Sequence, residues 1–134
     1  MYRWLDHTAE LELEIEASSE RAVFEQALAA LGELLAERTE PDGTGATARF
    51  EIAASAPDRP ALLAEWLNEL VYLIEDRGLI PERVEQLELS RAGIEATVSG
   101  RLSSPPHLVK AVTYHRLDMR EEGEAWRARV IFDV

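Results

Sequence analysis

The chain contains no cysteine, and this absence removes several classes of chemistry. Without thiols there can be no disulfide framework, no thiolate zinc site and no thiol redox centre. A metal ion would have to be bound by oxygen atoms or by the three histidines. His7, His107 and His115 do not have the spacing of a zinc-binding motif, so the sequence does not predict a histidine zinc site.

An excess of positive charge is also absent, because 26 acidic residues outnumber 14 basic ones and give a net charge of -12. Such a chain gains little from releasing the counterions of nucleic-acid phosphates, which argues against direct nucleic-acid binding. If RNA is involved, another molecule must hold it. Lys110 is the single lysine, and we mark it as a candidate because arginine supplies every other basic side chain.

Long apolar runs are missing as well. No stretch approaches the roughly 18 apolar residues that a membrane helix needs, and residues 1–7 lack the apolar core of a signal peptide. We therefore expect a cytoplasmic protein without a membrane partner. A length of 134 residues is in the usual range for one domain with a hydrophobic core, which predicts a single domain over residues 1–134.

Two amphipathic helices are predicted by apolar residues that recur at helical spacing. The first follows an N-cap at Ser18 or Ser19 and ends near Arg38. The second follows a cap at Asp58 and ends at Gly78. Both should bury one face against a sheet.

Strands are predicted where apolar and polar residues alternate. Residues 11–17 alternate apolar and acidic side chains, which predicts a half-buried strand with its glutamates on the outer face. A turn at residues 40–45 leads into a strand over residues 47–52. Two later hairpins are predicted, from residues 84–89 with 94–98 and from residues 108–119 with 126–134.

This layout indicates the α+β class. We expect a single domain with a mixed sheet of about six strands and two amphipathic helices packed on one face.

Common catalytic signatures are missing from the sequence, namely the phosphate-binding loop, the dinucleotide-binding glycine turn, the zinc-protease motif and the nucleophile elbow. Three polar clusters remain, at residues 6–10, 110–115 and 133–134. Each alone is typical of ordinary structure: a polar turn, a strand with a solvated lysine and a solvated chain end. Any function depends on whether the fold brings them together.

The first and last clusters would form a cation site if the N-terminal segment lay beside the last strand. Asp6 or Glu10 would then meet Asp133 and the carboxylate of Val134, and like charges at short range need a proton or a cation between them. Oxygen ligands favour Ca²⁺, Mg²⁺ or Mn²⁺ over zinc or copper. Lys110 could instead supply the balancing charge.

The same segments resemble the motifs of the archease family. Residues 6–10 (Asp-His-Thr-Ala-Glu) resemble its Asp-His-Thr-Ala-Asp motif, and residues 110–114 match its Lys-Ala-Val/Ile-Thr-Tyr motif. Residues 66–73 (Trp-Leu-Asn-Glu-Leu-Val-Tyr-Leu) are similar to its second-helix signature. Asp133 and Val134 match its ending in aspartate plus an aliphatic residue. The four segments occur in the family's order, which is more specific than any one of them.

The resemblance implies an activator rather than an enzyme. Archeases are small cytoplasmic proteins that stimulate RtcB-type RNA ligases, which join RNA ends in tRNA splicing or RNA repair through a guanylylated histidine and manganese. An archease speeds guanylylation of the ligase and permits multiple turnovers. The implied partner is therefore an RtcB-type ligase, and RNA is contacted only through it.

The resemblance also implies a divalent-metal site, seen as calcium in structures of the family, with Mg²⁺ or Mn²⁺ as alternatives. Carried over to this chain, the metal ligands are Glu10, Asp133 and Val134. Activation of the ligase is expected to need Glu10, Lys110 and Asp133.

One residue departs from the family pattern, because Glu10 stands where the motif has aspartate. The charge is kept, but the carboxylate moves outward by one C–C bond, which a flexible Ca²⁺ shell accommodates more easily than an octahedral Mg²⁺ shell. Glu10 could alternatively be a plain surface glutamate. Asp6, His7 and His115 are candidates for supporting positions around the site.

Two other functions stay open from the sequence. A stand-alone metal-dependent phosphoesterase could use the same acids, although the sequence identifies no orienting partner for His7 or His115. A chaperone-like interaction module would need no metal and would show exposed apolar patches.

Overall fold

A computed structural model describes residues 1–39 and 45–134 of the chain, and within them it contains two helices and seven strands. The turn predicted at residues 40–45 lies, apart from Gly45, outside the described residues. In chain order the elements are β1 (Tyr2–His7), β2 (Glu10–Ala17), α1 (Glu20–Glu37), β3 (Thr47–Ser55), α2 (Arg59–Arg77), β4 (Leu79–Leu89), β5 (Gly93–Leu102), β6 (Ala111–Glu122) and β7 (Ala125–Asp133).

The strands form two antiparallel sheets. The first has the order β1-β2-β7-β6 and the second has the order β3-β5-β4. The predicted α+β class and the two helices are confirmed, but the structure has seven strands in two sheets rather than about six in one mixed sheet. The additional strand is β1, whose aromatic residues Tyr2 and Trp4 alternate with Arg3 and Leu5.

Both helices begin and end where the sequence predicts, because local hydrogen bonds fix their termini. The Ser19 side chain accepts from the Ala22 amide at 3.1 Å and starts α1. The Asp58 side chain accepts from the Ala61 amide at 2.9 Å and starts α2. Gly78 ends α2 in the left-handed conformation, with φ of 70°, which costs glycine little.

The hydrophobic core lies between the two sheets and the two helices, and each helix contacts strands of both sheets. Helix α1 packs on β4 and β2, while α2 packs on β6 and β3. At the centre, the rings of Phe24 and Trp66 meet edge to face at 6.3 Å, and the Trp66 indole N–H donates to the Phe24 carbonyl at 3.1 Å. Burial of the polar indole group is therefore compensated.

The start of β4 is held between two glycines. A Cβ on Gly32 of α1 would lie 1.9 Å from the Pro81 carbonyl oxygen, and one on Gly100 of β5 would lie 2.0 Å from the Ile80 carbonyl oxygen. Any side chain at these positions would push α1 or β5 away from the backbone of β4.

Neither helix within residues 1–39 and 45–134 has the length and apolar composition of a membrane-spanning segment.

We predict that Gly32→Ala lowers the free energy of unfolding by about 1–3 kcal/mol, because its Cβ meets backbone that cannot move independently. Ordinary helix propensity favours alanine over glycine by about 1 kcal/mol, so the sign of the effect is diagnostic. Urea unfolding measures the change. The control is Ala36→Gly at an exposed position of α1, which should cost about 1 kcal/mol from propensity alone. A Gly32→Ala variant as stable as the parent would contradict the close approach of Gly32 to the Pro81 carbonyl oxygen.

Candidate functional site

One end of the first sheet brings both chain ends together in a single row. His7 pairs with Glu10, Glu10 pairs with Asp133, and Asp133 pairs with Ala111. Residues directly opposite each other in antiparallel strands point to the same face, with Cβ atoms roughly 4.5–5.5 Å apart. Glu10 and Asp133 therefore direct neighbouring side chains to the outer face of the sheet.

Two backbone hydrogen bonds hold the neighbouring segments against this row. The Val134 amide donates to the Ala9 carbonyl at 3.3 Å, and the Lys110 amide donates to the Asp133 carbonyl at 2.9 Å. Ala9 itself has a φ of 61°, which is unusual for a residue with a Cβ. We call Glu10, Asp133 and Val134 the acidic tip, and Lys110 adjoins it.

The side chains of the acidic tip form no salt bridge with the part of the chain that the structure describes. None of the salt bridges there involves Glu10, Asp133 or Lys110. Adjacent carboxylates repel each other, so a cation between them would be favourable. Lys110 is solvent-exposed, and its ammonium group is free to face an outside partner.

The donor set of the acidic tip fits a hard divalent cation. It offers the side-chain carboxylates of Glu10 and Asp133 and a main-chain oxygen of Val134, and such oxygen donors suit Ca²⁺, Mg²⁺ or Mn²⁺. Over residues 1–39 and 45–134, no group of three or more His, Cys, Asp or Glu side chains is arranged to hold a metal ion. The tip can therefore supply part of a coordination shell, with water or a partner's groups completing it.

The three supporting candidates lie in different places. His7 belongs to the row and faces the same side as Glu10. Asp6 pairs with Leu11, which follows Glu10 in β2. Because successive residues of a strand point to opposite faces, the Asp6 side chain projects away from the face of the acidic tip. His115 lies beyond the regular start of β6, where its amide donates to the Thr113 hydroxyl at 3.2 Å. The structure thus brings His7, but not Asp6, onto the face of the acidic tip, and His115 lies in the irregular segment of β6.

Glu12, two residues along β2 from Glu10, is a buried carboxylate on this face with only 3% of its surface exposed. Its oxygens lie 3.1 Å from His7 Nε2, 3.2 Å from Arg129 Nε and 3.6 Å from Arg116 Nη1. A buried carboxylate is costly unless cations and hydrogen bonds compensate it. The two guanidinium groups supply that compensation, and Glu12 in turn holds the imidazole of His7.

Arg116 reaches Glu12 because β6 has a large bulge. Thr113 pairs with Ile131 and Asp118 with Arg129, so residues 114–117 are together opposite Val130 alone. Arg116 within this segment has a φ of 56°. The bulge brings Arg116 to the outer face and interrupts the strand that the sequence predicts over residues 108–119.

Helix α2 contacts β6 and the loop before it along what we call the α2–β6 seam. Tyr114 donates its hydroxyl to Glu65 at 2.6 Å, and Asn68 Oδ1 accepts from the Val112 amide at 3.0 Å. His107 contacts Glu75 further along the helix. The bond to Glu65 raises the pKa of Tyr114, because ionisation would place two negative groups together, and partial burial adds to the shift.

Four further residues belong to this region although the sequence patterns did not identify them, namely Glu12, Arg116, Arg129 and Asn68. One available signal is the alternation of Arg127 and Arg129 with apolar residues in the last strand, which complements the acidic alternation of residues 11–17. It indicates that the two strands pair with their charged faces on the same side. Neither the bulge nor the role of Asn68 has a comparable signal.

The chain is similar to known proteins over nearly its whole length. The model of the Archease protein family (MTH1598/TM1083) matches residues 2–134. The protein archease of Methanosarcina acetivorans is 32% identical over 142 aligned residues, which cover 99% of this chain and 95% of that protein. The protein archease of Methanosarcina barkeri is 34% identical with the same coverage.

Solved structures show the same fold. The solution structure of Methanobacterium thermoautotrophicum protein 1598 matches with a TM-score of 0.68 and 26% identity, and covers 99% of this chain and 98% of that one. The crystal structure of a Thermotoga maritima protein, described as an archease and possible chaperone, matches with a TM-score of 0.64 and 21% identity, and covers 100% and 98% of the two chains.

We predict that Glu12→Ala lowers the free energy of unfolding by about 1–3 kcal/mol, because it removes the anion that two arginines and a histidine share. The arginines are partly exposed, which keeps the loss below that for a fully buried pair. Chemical denaturation measures the change. Glu14→Ala, on the same face of β2 and paired with exposed Arg3, is the control and should cost about 1 kcal/mol or less. Equal losses for the two variants would contradict the compensating role of the cluster.

For Tyr114, we predict that Glu65→Gln lowers the phenol pKa, since the phenolate would no longer form beside a carboxylate. In the parent protein, Tyr114 should ionise at a higher pH than an ordinary tyrosine. A phenolate absorbance titration, with Tyr114→Phe identifying the signal, measures both values. Glu69→Gln on the exposed face of α2 is the control. No change in Glu65→Gln would rule out the Tyr114–Glu65 hydrogen bond in solution.

Proposed function

The chain belongs to the archease family, and from this premise we propose that it is a protein cofactor of an RtcB-type RNA ligase. It would stimulate guanylylation and multiple turnover of the ligase in tRNA splicing or RNA repair, without being the catalyst. The observation that carries the proposal is the row in which Glu10 faces Asp133, next to Val134 and Lys110.

We infer that a divalent cation is bound by the acidic tip. The side-chain carboxylates of Glu10 and Asp133 would neutralise it, and a main-chain oxygen of Val134 would help to hold it. Ca²⁺, Mg²⁺ and Mn²⁺ all suit these donors. Glu10 in place of the family's aspartate favours a large, flexible shell such as that of Ca²⁺. When bound, the cation supplies positive charge that can stabilise phosphate oxygens at the ligase's nucleotide site.

Lys110 has a separate role in this proposal. Its amide is fixed to the Asp133 carbonyl, so its exposed side chain starts from a defined position beside the acids. A lysine ammonium is a compact point charge that can contact a phosphate. We assign Lys110 to a phosphate of the ligase's nucleotide or, with no nucleotide present, to balancing the acidic tip.

Charge explains how the protein would associate with its partner. With a net charge of -12, it is attracted to a basic protein surface and repelled by free RNA. The ligase would then hold the RNA, and the archease would present its acidic tip to the ligase active site.

The two other functions would give different results in a ligase-stimulation experiment. A metal-dependent phosphoesterase would hydrolyse phosphoesters without a ligase and lose that activity with a chelator. A chaperone-like module, the role suggested in the description of the Thermotoga maritima protein, would bind clients irrespective of Lys110 and the metal.

We predict that Asp133→Asn reduces stimulation of ligase guanylylation by roughly tenfold or more, because it removes one of the two side-chain carboxylates of the acidic tip. Labelled GMP transfer to an RtcB-type ligase, with and without the protein, measures the effect. Asp76→Asn at the exposed end of α2 is the matched control and should stimulate normally. Full stimulation by Asp133→Asn would reject the role of the tip. Absence of any stimulation by the parent protein would reject the proposed function.

A further inference from the structure

We propose that Asn68 of α2 is a positioning residue for the acidic tip and Lys110. Its side chain accepts the Val112 amide hydrogen at 3.0 Å, and this bond fixes the start of β6 at the position where Lys110 and Asp133 meet. The inference rests on the proposed function for the importance of the tip, but the geometry can be tested without a ligase.

The start of β6 needs such support because β6 is the edge strand of its sheet. An edge strand carries backbone groups on its outer side that no neighbouring strand can pair. Val112 is one residue from Ala111, which pairs with Asp133, and Val112 itself pairs with Phe132. Its amide turns away from β7 toward α2, where Asn68 Oδ1 receives it. The bond therefore joins the helix directly to the backbone of the strand.

Asn68 differs from the other residues along the α2–β6 seam. The contacts of Glu65 with Tyr114 and of Glu75 with His107 join two flexible side chains at the surface. In the described residues, Asn68 is the one member of this helix face that bonds to the backbone of β6. It therefore restrains the strand itself rather than a side chain on it.

Residues on both sides of Lys110 in the chain contact α2. The helix residues Glu65, Asn68 and Glu75 lie on one side of α2 and contact Tyr114, Val112 and His107 respectively, so the two segments run in opposite directions. Lys110 lies in the chain between Val112 and His107, and its own side chain is exposed. Contacts with the helix therefore hold the segment that carries Lys110 on either side of it.

Loss of the Asn68 acceptor would leave the Val112 amide unpaired between a helix and a strand. The strand start would then separate from α2 to gain water as a partner. Both residues of the tip region that depend on it, Lys110 through its amide and Asp133 through its pairing with Ala111, would lose their fixed spacing. Sites of this kind tolerate little displacement.

The test compares Asn68→Ala, which removes the acceptor, with Asn68→Asp, which keeps an oxygen at the same position. Glu69→Ala, an exposed neighbour on α2, is the matched control. Amide hydrogen exchange by NMR reports the Val112 bond, calorimetry with Ca²⁺ reports the acidic tip, and thermal unfolding reports the whole fold.

In Asn68→Ala we expect exchange of the Val112 amide to accelerate by roughly tenfold or more and the Ca²⁺ affinity to fall by roughly tenfold. Asn68→Asp should restore slow exchange, and Glu69→Ala should match the parent in both measurements. If Asn68→Ala does not fold, the proposal still requires that the Val112 amide exchanges slowly in the parent and in Asn68→Asp.

The proposal is overturned if the Val112 amide exchanges rapidly in the parent, if Asn68→Ala retains the parent's Ca²⁺ affinity, or if Asn68→Asp behaves like Asn68→Ala. Its failure is distinguishable from failure of the proposed function. A parent protein that stimulates no ligase, but whose Ca²⁺ affinity depends on the Asn68 acceptor, would reject the ligase role and keep the positioning role.

Discussion

The pairing of β2 with β7 is the constraint on which the rest of the molecule depends. Its register opposes apolar side chains on the inner face, such as Leu13 and Val130, and acids to arginines on the outer face, such as Glu14 and Arg129. A slip of one residue would reverse both faces at once. Core burial and charge pairing therefore specify the same register, and that register alone makes Glu10 the neighbour of Asp133.

Two supports surround this pairing, and each acts from a different side. On the outer face, the buried carboxylate of Glu12 contacts His7, Arg116 and Arg129. These contacts connect β2 with β1, β6 and β7. On the edge, α2 holds β6 through the Asn68 bond. At the tip, Asp133 is exposed and Glu10 is partly exposed, while the groups that orient their strands are buried or hydrogen-bonded.

Sequence patterns predict the elements of this fold better than their arrangement. Helical spacing and caps at Ser19, Asp58 and Gly78 identify both helices, because these signals are local. Period-two alternation assigns the faces of β2 but not its neighbours, so the split into two sheets and the strand order do not follow from it. The proximity of Glu10 to Asp133 is an assumption at the level of sequence, and the bulge that carries Arg116 depends on tertiary packing.

Pairing two strands that are distant along the chain also has a consequence for the folding pathway. Glu10 and Asp133 become neighbours only when β2 pairs with β7, which are separated by most of the other elements. Contacts so distant along the chain form slowly, because the intervening loop must be ordered first. A partly folded chain in which β7 has not yet paired with β2 would present no adjacent acids, so the acidic tip reports on completion of the fold.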